Sequence, residues 1–259
     1  MTLRYDALTS PDAYADVFKV PAPADLGERR IKPRKPGYMI RLAPQPHTED
    51  AAVAAPAEPV AAEGTEPAAT PASAPAPERE RERELLQVQW GLVPHWVKSA
   101  SDGRLRAPKL VNARSENVTT STPFRDTWLQ SQRCIVPMQA FYVDDLRSGK
   151  AVATRISRID GAPMGVAGLW ALWTGPDGDT LLSFTLLTVN ANSHALLHRY
   201  GQPGSEKRMP VILSEGTQAA WLTAPVPKAN EFMRAYAAQS LTANPVETKA
   251  DKVPKGWLE

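Results

Sequence analysis

A chain of 259 residues with 42% hydrophobic and 22% charged residues has the composition of a soluble globular protein with a sizeable core. No apolar run approaches the ~18 residues of a membrane span, no basic-then-apolar leader opens the sequence, and the single cysteine, Cys134, excludes an internal disulfide. These features make the reducing cytoplasm the expected location, with no membrane partner. The formal charge of +2 is uneven: residues 49–77 hold five acids (Glu49, Asp50, Glu58, Glu63, Glu66) and no base, so the remainder carries +7. Such an excess is compatible with a polyanionic ligand.

Along the chain, residues 49–83 are almost all Ala, Pro, Glu and Arg, with no aromatic residue. That composition cannot bury enough apolar surface to offset its ordering entropy. It predicts a disordered insertion, closing on a solvated Glu/Arg run at 78–84, that splits one domain into 1–48 and 84–259. Strands are then predicted at 85–93, 133–137, 151–159, 165–173, 180–189 and 208–213, from β-branched and aromatic runs mostly bounded by Gly, Pro or Asp. The turn GPDGDT (175–180) joins two of them as a hairpin. Helices are predicted at 124–131, after a proline, and at 191–200 and 231–239, from apolar spacing. The expected class is α+β, predominantly antiparallel β with a few short helices.

Four segments place polar or aromatic groups where chemistry could use them. WGLVPHW (90–96) is either a pair of half-buried core tryptophans or a platform on which unpaired bases stack. NARSENV (112–118) sets Asn112, Arg114 and Glu116 at spacing two, on one face if extended, as an anion-holding group or a surface ion pair. His198 precedes a Gly/Pro-rich turn leading to Arg208, where a site residue is readily displayed. Thr2 is small enough for Met1 to be removed, which would leave a nucleophilic α-amine with a pKa near ~8. Nothing in these segments calls for a metal or an organic cofactor.

In order, RY (4–5), YMIRLAP (38–44), WGLVPHW (90–96), NARSENV (112–118), PFRDTW (123–128), RCIVPMQAFY (133–142), AGLWALW (167–173), SFTLLTVNAN (183–192) and RMPVIL (208–213) resemble the SOS response-associated peptidase family, the abasic-site processing proteins. The resemblance implies a domain with a concave DNA groove that recognises abasic sites in single-stranded DNA. It also implies a covalent link, in which the α-amine of an N-terminal cysteine condenses with the sugar aldehyde and the thiol closes a thiazolidine. By the same resemblance Thr2, Asn112 and His198 take the catalytic positions. Arg4, Arg114 and Arg208 hold phosphates beside Glu116, and Trp90, Pro94 and Trp96 form the aromatic wedge. A monomer without cofactor is expected.

Two family positions differ. Thr2 stands where the family has cysteine, and Val143, after Phe141 and Tyr142, stands where it has glutamate. The hydroxyl of Thr2 could close only an oxazolidine, which hydrolyses far more readily than its sulfur analogue. Loss of the carboxylate removes a proton-transfer group worth ~10²–10⁴ in rate; Asp145, two residues on, could share its face after a register change. Three readings stand: a transient abasic-site reactor working through the Thr2 amine, whose untrapped imine could nick the strand by β-elimination; a binding module that holds single-stranded DNA without a stable crosslink; and an interaction protein whose 49–84 tether recruits a partner.

Overall fold

The computed structural model describes residues 4–44 and 81–246. Among these residues thirteen strands run in chain order: β1 Tyr5–Asp6, β2 Arg30–Ile31, β3 Pro36–Leu42, β4 Arg83–Trp90, β5 Asn112–Arg114, β6 Arg133–Met138, β7 Ala140–Asp145, β8 Val152–Arg158, β9 Met164–Thr174, β10 Thr180–Asn190, β11 Arg208–Pro210, β12 Ile212–Leu213 and β13 Leu241–Pro245. Among the described residues five short helices, α1 Asp12–Phe18, α2 Ala100–Arg106, α3 Arg125–Leu129, α4 Gln218–Thr223 and α5 Val226–Ala229, pack around them. The class is α+β, as expected. The insertion expected over 49–83 lies outside the described residues except at its end, where Arg83 already belongs to β4.

Strands β10, β4, β3, β6 and β9 pair in that order, and β9 pairs back to β10, so the larger sheet closes on itself. Closure removes the free edges that an open sheet would expose. All these pairings are antiparallel except β10 with β4, which is parallel. Gly168 makes the closure possible: a Cβ there would lie 2.7 Å from the Thr185 carbonyl and 2.9 Å from the Cys134 sulfur. The β9–β10 hairpin turns at the predicted GPDGDT segment, with Gly178 at φ 83° and the Gly175 N–H donating to the Asp179 carbonyl at 2.7 Å. A second sheet, in the order β13-β8-β7-β1-β2, leaves the barrel through β6 and β7, which are separated by Gln139 alone.

The core contains Trp90, Tyr5, Phe184, Met39 and Ile40, all fully buried. Trp90 meets Tyr5 edge-on at 5.1 Å, and its Nε1–H donates to the Val111 carbonyl at 3.0 Å. Gly91 follows at φ 118°, a conformation that favours glycine; a Cβ there would strike the Ala107 carbonyl at 2.5 Å.

Several local expectations are corrected. Residues 191–200 form a loop with one 3-10 turn at Leu197–Arg199 instead of a helix. Side-chain acceptors take the backbone donors: Asn190 Oδ1 from Asn192, Asn192 Oδ1 from Lys207, and His194 Nδ1 from Leu196 and Leu197. Residues 231–239 carry only 3-10 turns at their two ends, with Phe232 docked against Trp221 at 5.7 Å. The run 208–213 splits at Val211, whose N–H donates to Leu187 of β10 while its carbonyl accepts from Ala167 of β9. Helices α1, α2, α4 and α5 were not among the expected ones, although Tyr14 and Phe18 of α1 are buried at helical spacing and Ser99 caps α2 by accepting from the Asp102 N–H.

Candidate functional site

Beyond the barrel closure, the end of β10 is flanked by β5 on one side and β11 on the other: Thr188 lies opposite both Arg114 and Pro210, and Asn190 opposite Arg208. This register builds an ion network. Arg208, with its side chain 3% exposed, makes a two-pronged pair with Glu116, Nη1 to Oε1 at 2.9 Å and Nη2 to Oε2 at 2.7 Å. Its remaining donors reach Glu206 Oε1 at 2.8 Å and the Thr188 carbonyl at 2.6 Å. Glu206 also accepts from Asn190 Nδ2 at 3.0 Å and pairs with Arg114 Nη1 at 3.0 Å. Burial pushes the Glu116 carboxyl up, but hydrogen bonds from Arg208 and the backbone outweigh it, so its pKa ends below the ordinary value. The Arg208 hydrogen bond likewise lowers Glu206. Two cations meet two carboxylates, and the network is neutral.

A second polar cluster forms where β1 pairs with β7 and β2. Asp6 is 2% exposed, and both its oxygens accept from the Tyr142 hydroxyl, at 3.1 and 3.0 Å. Arg155 donates to Asp6 at 3.0 Å, and Arg30 donates to the Tyr142 hydroxyl at 3.1 Å. The guanidinium carbons of Arg4 and Arg30 lie 4.4 and 5.2 Å from the Tyr142 ring centre, a cation–π arrangement. Burial, then the Asp6 charge, raises the pKa of the Tyr142 hydroxyl.

Between these clusters lie two cavities with a common wall. One, of about 390 Å³, is lined by Arg4, Lys32, Tyr142, Val143 and Asp144. The other, of about 310 Å³, is lined by Val143, Asp144, Tyr200, Glu206 and Arg208. The Asp144 carbonyl accepts from the Gly201 N–H at 2.7 Å, which fastens the loop before β11 against β7. Val143 and Asp144 therefore stand at the junction.

The predicted residues separate into distinct settings. Arg114, Glu116 and Arg208 share the ion network, although Glu116 reaches it from a 3-10 turn (Ser115–Asn117) rather than by strand alternation. Arg4 belongs to the other cluster. Asn112 is buried on β5, opposite Leu186. His198 is exposed, with Nδ1 3.0 Å from the His194 carbonyl, and does not contribute to the described walls of either cavity. Trp90 and Pro94 are buried, so the indole of Trp90 is a core side chain with no face for a base. Trp96 is 37% exposed, with the Arg106 guanidinium 5.3 Å from its ring. Thr2 lies outside the described residues. Asp145 stays in the ladder opposite Val152, its carboxylate gripped by Arg147 and held down to about 2, so no register change brings it to the position of Val143.

Sequence reasoning missed Glu206, Tyr142, Asp144, Arg30 and Lys32. The one available signal was the spacing of Glu206, two residues before Arg208 and thus on its side of an extended segment. Among the described residues no group of three His, Cys, Asp or Glu side chains could hold a metal ion. None of the described helices is long and apolar enough to cross a membrane.

The chain is 31% identical to the abasic site processing protein YoaM of Bacillus subtilis over 64% of its own length and 73% of that protein. It is 31% identical to YoqW of the same species over 52% of its own length and 56% of that one, and 28% identical to chicken HMCES over 65% and 54%. A Bordetella bronchiseptica protein of known crystal structure, 33% identical, superposes with a TM-score of 0.74 over 95% of this chain and 100% of that one. A phage-related protein from that organism shares the fold at 17% identity, with a TM-score of 0.59 over 95% of this chain and 94% of the other. The family profile described as SOS response associated peptidase matches residues 1–253. By that match, the chain belongs to the SOS response associated peptidase family.

Proposed function

We propose that this protein recognises abasic sites in single-stranded DNA as part of the DNA-damage response, and does so as a binding module without a durable crosslink. One observation carries the reading: the two cavities meet at Val143, an apolar side chain 8% exposed, with a cation-rich wall on one side. Arg4 and Lys32 hold phosphates there, because the buried carboxylate of the neighbouring cluster, Asp6, is already engaged by Tyr142, Arg155 and Arg30. Trp96 offers the exposed indole for an unpaired base. Arg114, half exposed and among the described residues paired with Glu206 alone, can exchange that pair for a phosphate at little cost. Arg208, with every nitrogen engaged, positions Glu116 and Glu206 instead.

The names of the relatives supply the lesion, and the residue types supply the outcome. An amine on Thr2 keeps imine formation open, but without a thiol the imine is not trapped in a stable ring. Val143 brings no proton-transfer group, and the carboxylate that faces the second cavity, Glu206, is committed to two arginines and Asn190. The protein acts as a monomer in the reducing cytoplasm, where buried Cys134 remains a thiol.

Borohydride reduction in the presence of single-stranded DNA with one abasic site tests the reading. Salt-sensitive binding that favours the abasic strand, with no stable adduct before reduction, supports it. An adduct that survives heat without borohydride overturns the binding-module reading. An adduct seen only after reduction, and lost on acetylating the N-terminus, assigns the transient reactor instead. Restoring both family residues, Thr2→Cys with Val143→Glu, is expected to bring back a stable crosslink.

A further inference from the structure

We propose that the buried guanidinium of Arg133 forms a binding site for a small monoanion, of halide size, between Trp128 and Trp221, away from the two cavities. Arg133 opens β6 and is 2% exposed. Its guanidinium carbon lies 5.7 Å from the Trp128 ring centre and 5.2 Å from that of Trp221, and both indoles are fully buried. Nη1 donates to the Ala224 carbonyl. Nε and Nη2, together with Nε1 of Trp128, meet no acceptor among the described residues. No carboxylate among the described residues forms an ion pair with Arg133.

This arrangement is costly as it stands. Burial lowers the Arg133 pKa to about 10, with no acidic group opposing the shift, so the group is still charged at neutral pH. A buried cation without a counter-charge loses its hydration with nothing to replace it, and each buried donor left without an acceptor adds to that cost. The two indole faces offset part of the charge cost. A π-face cannot serve the in-plane N–H groups. The Nε hydrogen and one of the two Nη2 hydrogens lie along one edge of the planar group, the edge that grips an anion side-on. An anion seated there cancels the charge and satisfies both donors at once. Enclosure by fully buried aromatic side chains restricts the occupant to an ion of few atoms, which excludes DNA phosphate and sets this site apart from the groove.

The full-length protein, melted in sodium chloride, bromide, nitrate or gluconate at one pH and ionic strength, tests the assignment. The three small anions should raise the melting midpoint saturably, by about 5–10 °C at a hundredfold excess over the dissociation constant, while bulky gluconate should not. Arg133→Met should abolish that difference. Equal midpoints of the wild-type protein in all four salts would mean that water alone serves the guanidinium, and would overturn the proposal. So would an anion dependence that persists in Arg133→Met. Should that variant fail to fold, anomalous diffraction from bromide-soaked wild-type crystals decides: a peak on the Nε–Nη2 edge of Arg133 supports the site, and its absence rejects it.

Discussion

Two arginines from the same ordered set of motifs end in opposite circumstances. Arg208 is buried beneath β10, clamped between Glu116 and Glu206, and its charge is cancelled on the spot. Arg4 lies over the face of Tyr142 on a cavity wall that it shares with Lys32, and the buried acid of its cluster is already engaged by Arg155. The contrast separates two uses of a cation. A desolvated, fully paired guanidinium fixes the positions of its partners and has nothing left for a ligand. A half-solvated one with an incompletely compensated charge is available to phosphate.

The largest expected effect tests the first half of that comparison. Arg208→Met leaves Glu116 and Glu206 without their shared cation. Urea unfolding should show a loss of about 1.5–3 kcal/mol, since charged hydrogen bonds are lost while the carboxylates, 50% and 30% exposed, regain water. A variant that is fully stable but binds DNA with a reduced salt slope would reverse the roles assigned here. Next, Trp96→Ala removes the exposed indole. Binding to single-stranded DNA by fluorescence anisotropy should weaken by about 1–3 kcal/mol, with stability changed by no more than ~0.5 kcal/mol. Undiminished affinity would take Trp96 out of the interface.

Arg4→Gln is the counterpart of the Arg208 variant. It should weaken binding about equally across sequences and reduce the slope of log affinity against log salt by about 0.7, the value for one single-strand phosphate. An unchanged slope would remove Arg4 from the phosphate contacts. The smallest effect is in the pH dependence of stability. The Glu116 carboxyl has a pKa below its unfolded value, so its contribution is present above the ordinary carboxylate range, near ~4.3, and is lost as the pH falls through the folded value. Urea midpoints between pH 6 and pH 3 should therefore fall less steeply in Glu116→Gln than in the wild type. Parallel curves would show that the Arg208 network does not sense this proton.

Much of the fold was legible because strands announce themselves locally. The run 165–173 is apolar and β-rich, and it became β9; the turn GPDGDT carried its own glycine chemistry. The helices were less legible. Residues 191–200 have helical spacing, yet the side chains of Asn190, Asn192 and His194 capture the backbone donors, a competition visible only once the loop before β11 folds back. The site divides in the same way. Arg4, Arg114, Glu116 and Arg208 could be named from motifs. Glu206, Tyr142 and Asp144 could not, since their relevance depends on which strands become neighbours.

The sequence by itself determined the family, the α+β class and the strand-rich order of the chain. Those are properties of residue type and local pattern, which need no neighbours to be read. Only the tertiary structure decided that Trp90 serves the core while Trp96 faces solvent, and that Arg208 is neutralised while Arg4 lines a cavity. The physical reason is that burial and charge compensation belong to pairs of groups distant in sequence. Glu116 and Arg208 are 92 residues apart, and the pairing of β5 and β11 with the end of β10 sets them side by side.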